Sequence, residues 1–353
     1  MVFTAKIDPA GNVLWLRNGV SSGTGKAWGK SIAADASGNT VLIGSYTNTL
    51  TLGTYTLVAP PGAQGVFYAK YDTNGNVIWA NTSGSSSTDN GNSVCTDVSG
   101  NYYLTGDYKS SVLSIGTFTL GKSGLFNMFV AKLDGNGNIL WAMSSISAAG
   151  ESGMCISSSS TAIYVGGSMG NMFSFNTYSI TMSPFSMWDP AFILRMDPNG
   201  NVLCGDGLMS GADDKMGIVT PPTGNHAYFA GDFLDKPFYI GTYTLTYTGG
   251  ANAESMFAAK FQCSPLNIQD SEKTLYKPTF YPVPCDGSFY LNAETEMKSG
   301  EVIIYNLIGE KVFENKLCKG LNSITTDLPD GMYTYKILEI GRPRATGKLL
   351  ICR

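Results

Sequence analysis

A single histidine, His226, must supply any imidazole chemistry in this 353-residue chain. It follows a Gly224-Asn225 turn, and no motif marks the serine and acid that a Ser-His-Asp relay needs. Asp107 and Asp232 hold equivalent places in a repeated pattern, and a pair of carboxylates is the machinery of glycoside hydrolysis. Other copies of the pattern put Ser45 and Ser168 there, so solvation of a turn or strand end accounts for all four. Asp72-Thr-Asn-Gly-Asn76 has the opening spacing of a calcium loop. Each such turn offers one carboxylate and no distal glutamate, whereas calcium takes about six to eight oxygens, so the aspartate reads as a turn cap. No Cys-x-x-Cys or histidine spacing suits zinc, and no motif marks a cofactor. The expected catalytic, cofactor and metal residues are therefore none.

The aromatic and sulfur residues divide by position. Trp15, Trp79 and Trp141 occupy one repeat position and read as packing elements between units. Trp28, Trp188 and Phe185 do not repeat and are the candidates for a ligand surface that stacks on carbohydrate. Cys95 and Cys155 read as one strand position in successive copies, where the first copy has Ala33; Cys204 stands in place of the repeat tryptophan. All three read as small buried hydrophobes. Cys285, Cys318 and Cys352 lie near the C-terminus, where an exported protein can form a disulfide; seven cysteines leave at least one thiol unpaired.

These residues sit in a repeat. Ala-Lys-x-Asp-x-x-Gly-Asn-Val-x-Trp, spelled by Ala5 to Trp15, returns at Ala69 to Trp79, at Ala131 to Trp141 and, decayed, at Leu194 to Cys204. Its basic residue falls at Lys6, Lys70, Lys132, Arg195 and Lys260, a period near 63. A fixed period means stacked units, because each unit buries its apolar face only against a neighbour. Asp-x-x-Gly-Asn recurs at Asp8, Asp35, Asp72, Asp97, Asp134 and Asp197 between runs of strand composition, which predicts bulged type I hairpins with Gly at the left-handed position. Ser157 to Thr161 and Gly224-Asn225 replace it in the second hairpins of repeats three and four. Each period thus predicts two hairpins, or four strands. A further element, Leu52-Gly-Thr-Tyr-Thr-Leu57 and its copies at Ile115, Phe175 and Ile240, reads as a half-buried strand or arm. Four-stranded repeats predict a β-propeller, with an open β-solenoid as the alternative.

Residues 3 to 262 resemble the bacterial SBBP-type β-propeller repeats, whose hallmark is an Ala-Lys-hydrophobic-Asp-x-x-Gly-Asn-x-x-Trp run. Composition agrees with an extracellular all-β protein: charged residues are 14%, against about 25% in ordinary soluble domains. A net charge of −4 excludes an electrostatic footprint for nucleic acid, and no apolar run reaches a membrane span.

The repeat ends near Cys263, and residues 264–276 read as a polar linker. Four signals follow in order: Tyr281-Pro-Val-Pro-Cys-Asp-Gly287, Val302 to Val312, Leu328-Pro-Asp-Gly-Met-Tyr333, and Gly347-Lys-Leu-Leu-Ile351. They predict short strands in a small, Ig-like antiparallel β-sandwich over 277–353, with Asn306 to Gly309 and Pro329 to Gly331 as hairpin connections. They closely resemble the type A C-terminal sorting domain of the type IX secretion system. Tyr281, Pro282, Pro284, Gly287, Tyr305, Asn306, Gly309, Val312, Leu328, Pro329, Gly331, Tyr333, Gly347 and Lys348 fall on the family pattern; Val283 stands where asparagine is usual.

The resemblance implies a Gram-negative bacterium and export through the periplasm and outer membrane to the surface or beyond. The implied partners are the type IX machinery and its sorting peptidase. It also implies a secretory signal peptide, whereas Met1-Val-Phe-Thr-Ala-Lys6 starts inside a repeat phrase. The chain therefore reads as truncated, with four visible repeats a lower bound; alternatively, Phe257 to Phe261 is a surplus strand that closes a small ring. The expected function is non-catalytic binding of an extracellular protein or glycan, and the alternative is an exported polysaccharide-degrading enzyme.

Overall fold

The computed structural model describes the chain except residues 171, 182–189, 209–215, 223, 235–237, 241–242, 246–253, 263–279, 282–286, 294–299, 307–309, 319, 340–341 and 353. Every described element is a β-strand, and no helix is long and apolar enough to cross a membrane. Two compact units divide the chain, Met1–Pro265 and Leu266–Arg353.

In the first unit, β1 (Val2–Ile7) and β2 (Val13–Ser21) pair as a hairpin. Next come β3 (Ala27–Ala34), β4 (Thr40–Thr47), an arm of β5 (Thr49–Leu52) and β6 (Tyr55–Val58), then β7 (Gln64–Tyr71) and β8 (Val77–Thr82). Strands β3-β4-β7-β8 form the second sheet. The third repeats this with β9 (Asp89–Thr96), β10 (Tyr102–Tyr108), arm β11 (Val112–Ile115)–β12 (Phe118–Gly121), β13 (Asn127–Leu133) and β14 (Ile139–Ile146). The fourth has β15 (Ser152–Ser158), β16 (Ile163–Ser168), β19 (Ala191–Met196) and β20 (Val202–Leu208), while the intervening arm β17 (Met172–Phe175)–β18 (Tyr178–Thr181) extends the third sheet along β14. The fifth has β21 (Met216–Val219), β22 (His226–Leu234), arm β23 (Phe238–Ile240)–β24 (Tyr243–Leu245) and β25 (Glu254–Gln262). Each sheet joins the second hairpin of one period to the first hairpin of the next.

Three expectations are corrected. A period holds six strands, because the expected single arm strand is itself a hairpin. Gly53 (φ 57°), Gly116 (φ 59°) and Asn176 (φ 56°) turn it, at a position open to glycine and, less readily, asparagine. Phe257 to Phe261 closes no ring: β25 runs antiparallel along β22, and β1 pairs with β2. Cys95 and Cys155 are not equivalent. The inner strands β3, β9 and β15 each carry a bulge, at Lys30, Asn92 and Met154, and the bulge register aligns Cys95 with Ala33 and Ser157, and Cys155 with Ser31 and Ser93.

The sheets stack through their faces. Val66 and Tyr68 of the second sheet share a core with Phe129 of the third, and Tyr103 and Met128 of the third share one with Phe192 of the fourth. Burying each such phenylalanine is worth about 1.5 to 3 kcal/mol. Between inner strands, Ser31 Oγ accepts the Val94 N–H at 3.2 Å, and Ser93 Oγ accepts that of Ile156 at 3.2 Å.

The second unit has two antiparallel sheets. One contains β26 (Phe280–Tyr281), β27 (Ser288–Ala293) and β30 (Gly320–Thr325); the other contains β28 (Gly300–Tyr305), β29 (Lys311–Leu317), β31 (Gly331–Glu339) and β32 (Arg342–Ile351). Phe289, Leu291 and Ile324 of the first share one core with Val302, Ile304 and Ile337 of the second, as in a sandwich. Asn306 to Gly309 does connect the hairpin β28–β29. Pro329 to Gly331 does not connect a hairpin: β30 pairs with β27 and β31 with β28, so this stretch carries the chain from one sheet to the other.

Candidate functional site

In the six Asp-led turns the aspartate Oδ1 accepts the backbone N–H two and four residues on; in Asp72 both bonds are 2.8 Å. The other oxygen accepts the asparagine side-chain amide, at 2.9 Å from Asn76 to Asp72. These donors hold Asp72 below the ordinary carboxylate value, the Asn76 side chain foremost. Every carboxylate thus caps its own turn, and those of Asp35 and Asp97 also accept the hydroxyls of Tyr102 and Tyr103.

The repeat phrase encodes a staple between units. Lys70 and Trp79 lie opposite each other across β7–β8, and both donate to the Gly135 carbonyl in the first-hairpin turn of the next sheet, at 3.1 and 3.2 Å. Lys132 and Trp141 do the same to Pro198 O, and Lys6 and Trp15 to Thr73 O. The turn glycine then lies on the indole: a Cβ at Gly137 would be 2.9 Å from Trp79. Trp15, Trp79 and Trp141 are packing elements, as their periodicity predicts. In the fourth sheet Arg195 pairs with Cys204, and Cys204 is disulfide-bonded, which corrects its reading as a small hydrophobe. Burial pushes the Cys95 and Cys155 thiols up to about 12, which keeps them inert, and both are unpaired.

At the opposite ends of the inner strands a row of side chains crosses three sheets. Trp28 pairs with Ser45, Asn90 with Asp107, and Ser152 with Ser168, in equivalent registers. Gly106 permits the bulge beside this row, since a Cβ there would fall 1.9 Å from Asn90 O. Asp107 Oδ2 accepts from Asn90 Nδ2 at 2.9 Å; its Oδ1 accepts from Asn92 Nδ2 at 3.1 Å and Ser152 Oγ at 2.8 Å. Gln64 Nε2 donates to Asn90 Oδ1 at 2.7 Å. Second, third and fourth sheets therefore contribute to one polar chain, with Trp28, 39% exposed, and exposed Lys30 at its end.

Sequence reasoning missed the groups beneath this row. Asp89 is buried and accepts from the Lys109 and Ser110 amides and Ser110 Oγ. Glu151, one period on, is equally buried and accepts from Ser145 Oγ and Ser147 Oγ. Burial raises both acids above their ordinary values, against the pull of the serine hydroxyls. Their 62-residue spacing was the available signal.

The other candidates are not brought together. Asp232 lies on β22 of the fifth sheet, beyond the fourth from Asp107, so no paired-carboxylate site forms from them. His226 meets the Tyr228 ring edge-on at 5.2 Å, without a serine or acid partner among the described residues. Among those residues no three His, Cys, Asp or Glu converge to hold a metal. Phe185 and Trp188 lie outside the described residues.

In the second unit the sorting-pattern residues build turns and core. Asn306 Oδ1 accepts from Glu310 N at 2.9 Å and its Nδ2 donates to Glu310 Oε2, closing the β28–β29 loop. Tyr333, mostly buried, donates its hydroxyl to Pro329 O at 2.8 Å, fixing the crossing between sheets, and Leu328 and Val312 pack on the core. Tyr305 pairs with Lys311 and Thr334. Gly287 (φ 100°) opens β27, and its carbonyl accepts from Thr326 N at 2.7 Å. Tyr281 pairs with Tyr290, Gly331 with Ile351, Gly347 with Tyr335 and Lys348 with Thr334. Pro282, Pro284 and Gly309 lie outside the described residues. Cys318 and Cys352 are unpaired and exposed; Cys285 is not described.

The family model of the secretion system C-terminal sorting domain matches residues 279–352. An uncharacterized WD repeat-containing protein of Acanthamoeba polyphaga mimivirus is 30% identical over 158 residues, 40% of this chain and 11% of that protein. The chain thus spans about a tenth of that relative's length. A mutant Synechocystis apocarotenoid oxygenase is similar at a TM-score of 0.31 and 8% identity, over 84% of this chain and 64% of that one. A glycoside hydrolase family 32 structure from Bifidobacterium adolescentis gives 0.23 and 10%, over 95% and 66%. The sorting domain marks proteins exported through the type IX secretion system, and this protein is directed by it to the cell surface or extracellular space.

Proposed function

We propose that residues 1–263 are β-propeller repeats of the SBBP type serving as a non-catalytic binding module, which the C-terminal domain carries through the outer membrane to face an extracellular glycan. The single observation behind the ligand class is the exposed Trp28 at the end of the polar row. An open indole stacks on a sugar face, and neighbouring amides hydrogen-bond hydroxyls. Non-catalytic action is supported by Asp107, whose two oxygens are engaged by Asn90, Asn92 and Ser152 within the row.

A glycan array probed with the full chain, run beside a reducing-sugar assay on the same glycans, tests this. The expected result is binding without turnover, with Trp28→Ala abolishing binding at an unchanged melting temperature. Release of reducing ends would favour the polysaccharide-degrading enzyme instead. Binding undiminished by Trp28→Ala would remove the row as its surface.

A further inference from the structure

The Asp-led turns and the polar row lie at opposite ends of the strands, and the two ends differ in which charges reach solvent. At the turn end Asp72, Asp97, Asp134 and Asp197 are partly exposed, while Lys70 and Arg195 are buried. At the row end the order is reversed. Asp89 and Glu151 are fully buried and Asp107 is 7% exposed, each with its oxygens engaged by N–H or O–H donors. In the third sheet the charges that meet solvent at this end are lysines. Lys109 and Lys122 are exposed, and among the described residues neither forms an ion pair.

Both lysines are held beside the row. The Lys109 N–H donates to Thr88 O at 3.1 Å and to Asp89 Oδ1 at 3.0 Å, which fixes it just beyond the pairs Asp89–Tyr108 and Asn90–Asp107. Its ammonium lies over the Phe126 ring, 5.7 Å from the centroid, and Gly150 braces that ring, since a Cβ there would overlap it. Lys122 reaches the same end from the next loop: its N–H donates to Ser111 O at 3.0 Å and its Nζ to Leu125 O at 3.3 Å. Leu125 is itself 71% exposed. An ammonium carries three donors, so each of these keeps donors for a further acceptor after its contact with a ring face or a carbonyl.

We propose, building on the glycan-binding reading of that row, that the ligand is an acidic glycan whose carboxylate or sulfate groups are met by Lys109 and Lys122 while Leu125 lies against the sugar ring. A neutral glycan would leave both ammonium groups to water, whereas an anionic one gives them charge-assisted bonds at the edge of the row. The net charge of −4 disfavours a general affinity for polyanions, so such binding has to come from a local feature of this kind.

Isothermal titration of the full-length protein with polygalacturonate and with dextran sulfate, each beside its neutral counterpart, methyl-esterified polygalacturonate and dextran, tests this. The expected result is a preference for the charged form in at least one pair, which weakens as salt is raised. Lys109→Gln and Lys122→Gln should each weaken binding about two- to fivefold, the range of exposed charge pairs, at an unchanged melting temperature. Lys316→Gln, at an exposed position in the second unit, should leave binding unchanged. Equal affinity for charged and neutral forms overturns the acidic class and leaves glycan binding standing, whereas binding to none of these probes overturns both. Undiminished binding by both Lys109→Gln and Lys122→Gln, or a loss with Lys316→Gln as large as theirs, overturns the site.

Discussion

Gly100 and Gly137 occupy the same turn position with φ of 78° and 86°, yet only Gly137 has an indole against it. Gly100→Val should cost about 1 to 3 kcal/mol in backbone strain. Gly137→Val should cost that and a further ~1 to 3 kcal/mol, because the added carbons must displace Trp79. Urea denaturation of the two variants checks this, and equal losses would show that the indole contact yields freely. Asp35 illustrates a charge at the same scale. Burial works to raise its pKa, but Asn39, Tyr102 and Lys70 outweigh that and bring it from 3.8 to about 2. Its folded value is the lower one, so its stabilisation is complete above pH 3.8 and is lost as the pH falls towards 2. Asp35→Asn should flatten the acid limb of a melting-temperature profile between pH 4 and 2, about the window this shift defines.

At the scale of elements, the staple and the arm hold neighbouring sheets together by different means. Trp79→Ala should destabilise the first unit by roughly 3 to 5 kcal/mol, since the side chain is 8% exposed in the seam core. Trp79→Phe keeps most of the packing and forfeits the bond to Gly135 O, so about 1 kcal/mol is expected from thermal melts. The arm pairs with the preceding sheet and reaches the outer strand of the following one through Tyr55, which donates to Ile78 O at 2.6 Å, and Tyr178, which donates to Gly205 O at 2.9 Å. Phe118 holds this place in the third sheet without a hydroxyl, so Tyr55→Phe should also cost only about 1 kcal/mol.

For the whole molecule, the sorting domain and the repeats fall in separate units with separate cores. Deleting 277–353 should leave the protein in the periplasm while the melting transition of the repeats persists. Fusing that segment behind a signal peptide and a foreign reporter should bring the reporter to the surface of a strain with the type IX machinery. Fractionation and surface labelling decide it: a folded fusion that stays periplasmic would show that the domain is not a sufficient address. The disulfide at Cys204 accords with this route, because such bonds persist in oxidising compartments.

The sequence alone determined whatever is local or strictly periodic. Asp-x-x-Gly-Asn specifies its turn because donor, acceptor and left-handed glycine lie within five residues, and Gly75 and Gly137 take positive φ as that chemistry demands. The recurring tryptophan announced packing because only a neighbour in the array meets one position every time. Tertiary structure decided the rest. The second hairpin of repeat three turns at Ser159 to Ala162, with Ser157 and Ser158 still in β15, and not at Ser157 to Thr161 as the sequence reading expected; that sets Cys155 two places off the register of Cys95. The arm became a hairpin because its first strand found a partner in the preceding sheet, as β5 does along β2. Asn90, Asn92, Asp107 and Ser152 became one network only when folding set the third sheet beside the fourth, bringing together polar groups up to 62 residues apart in the chain.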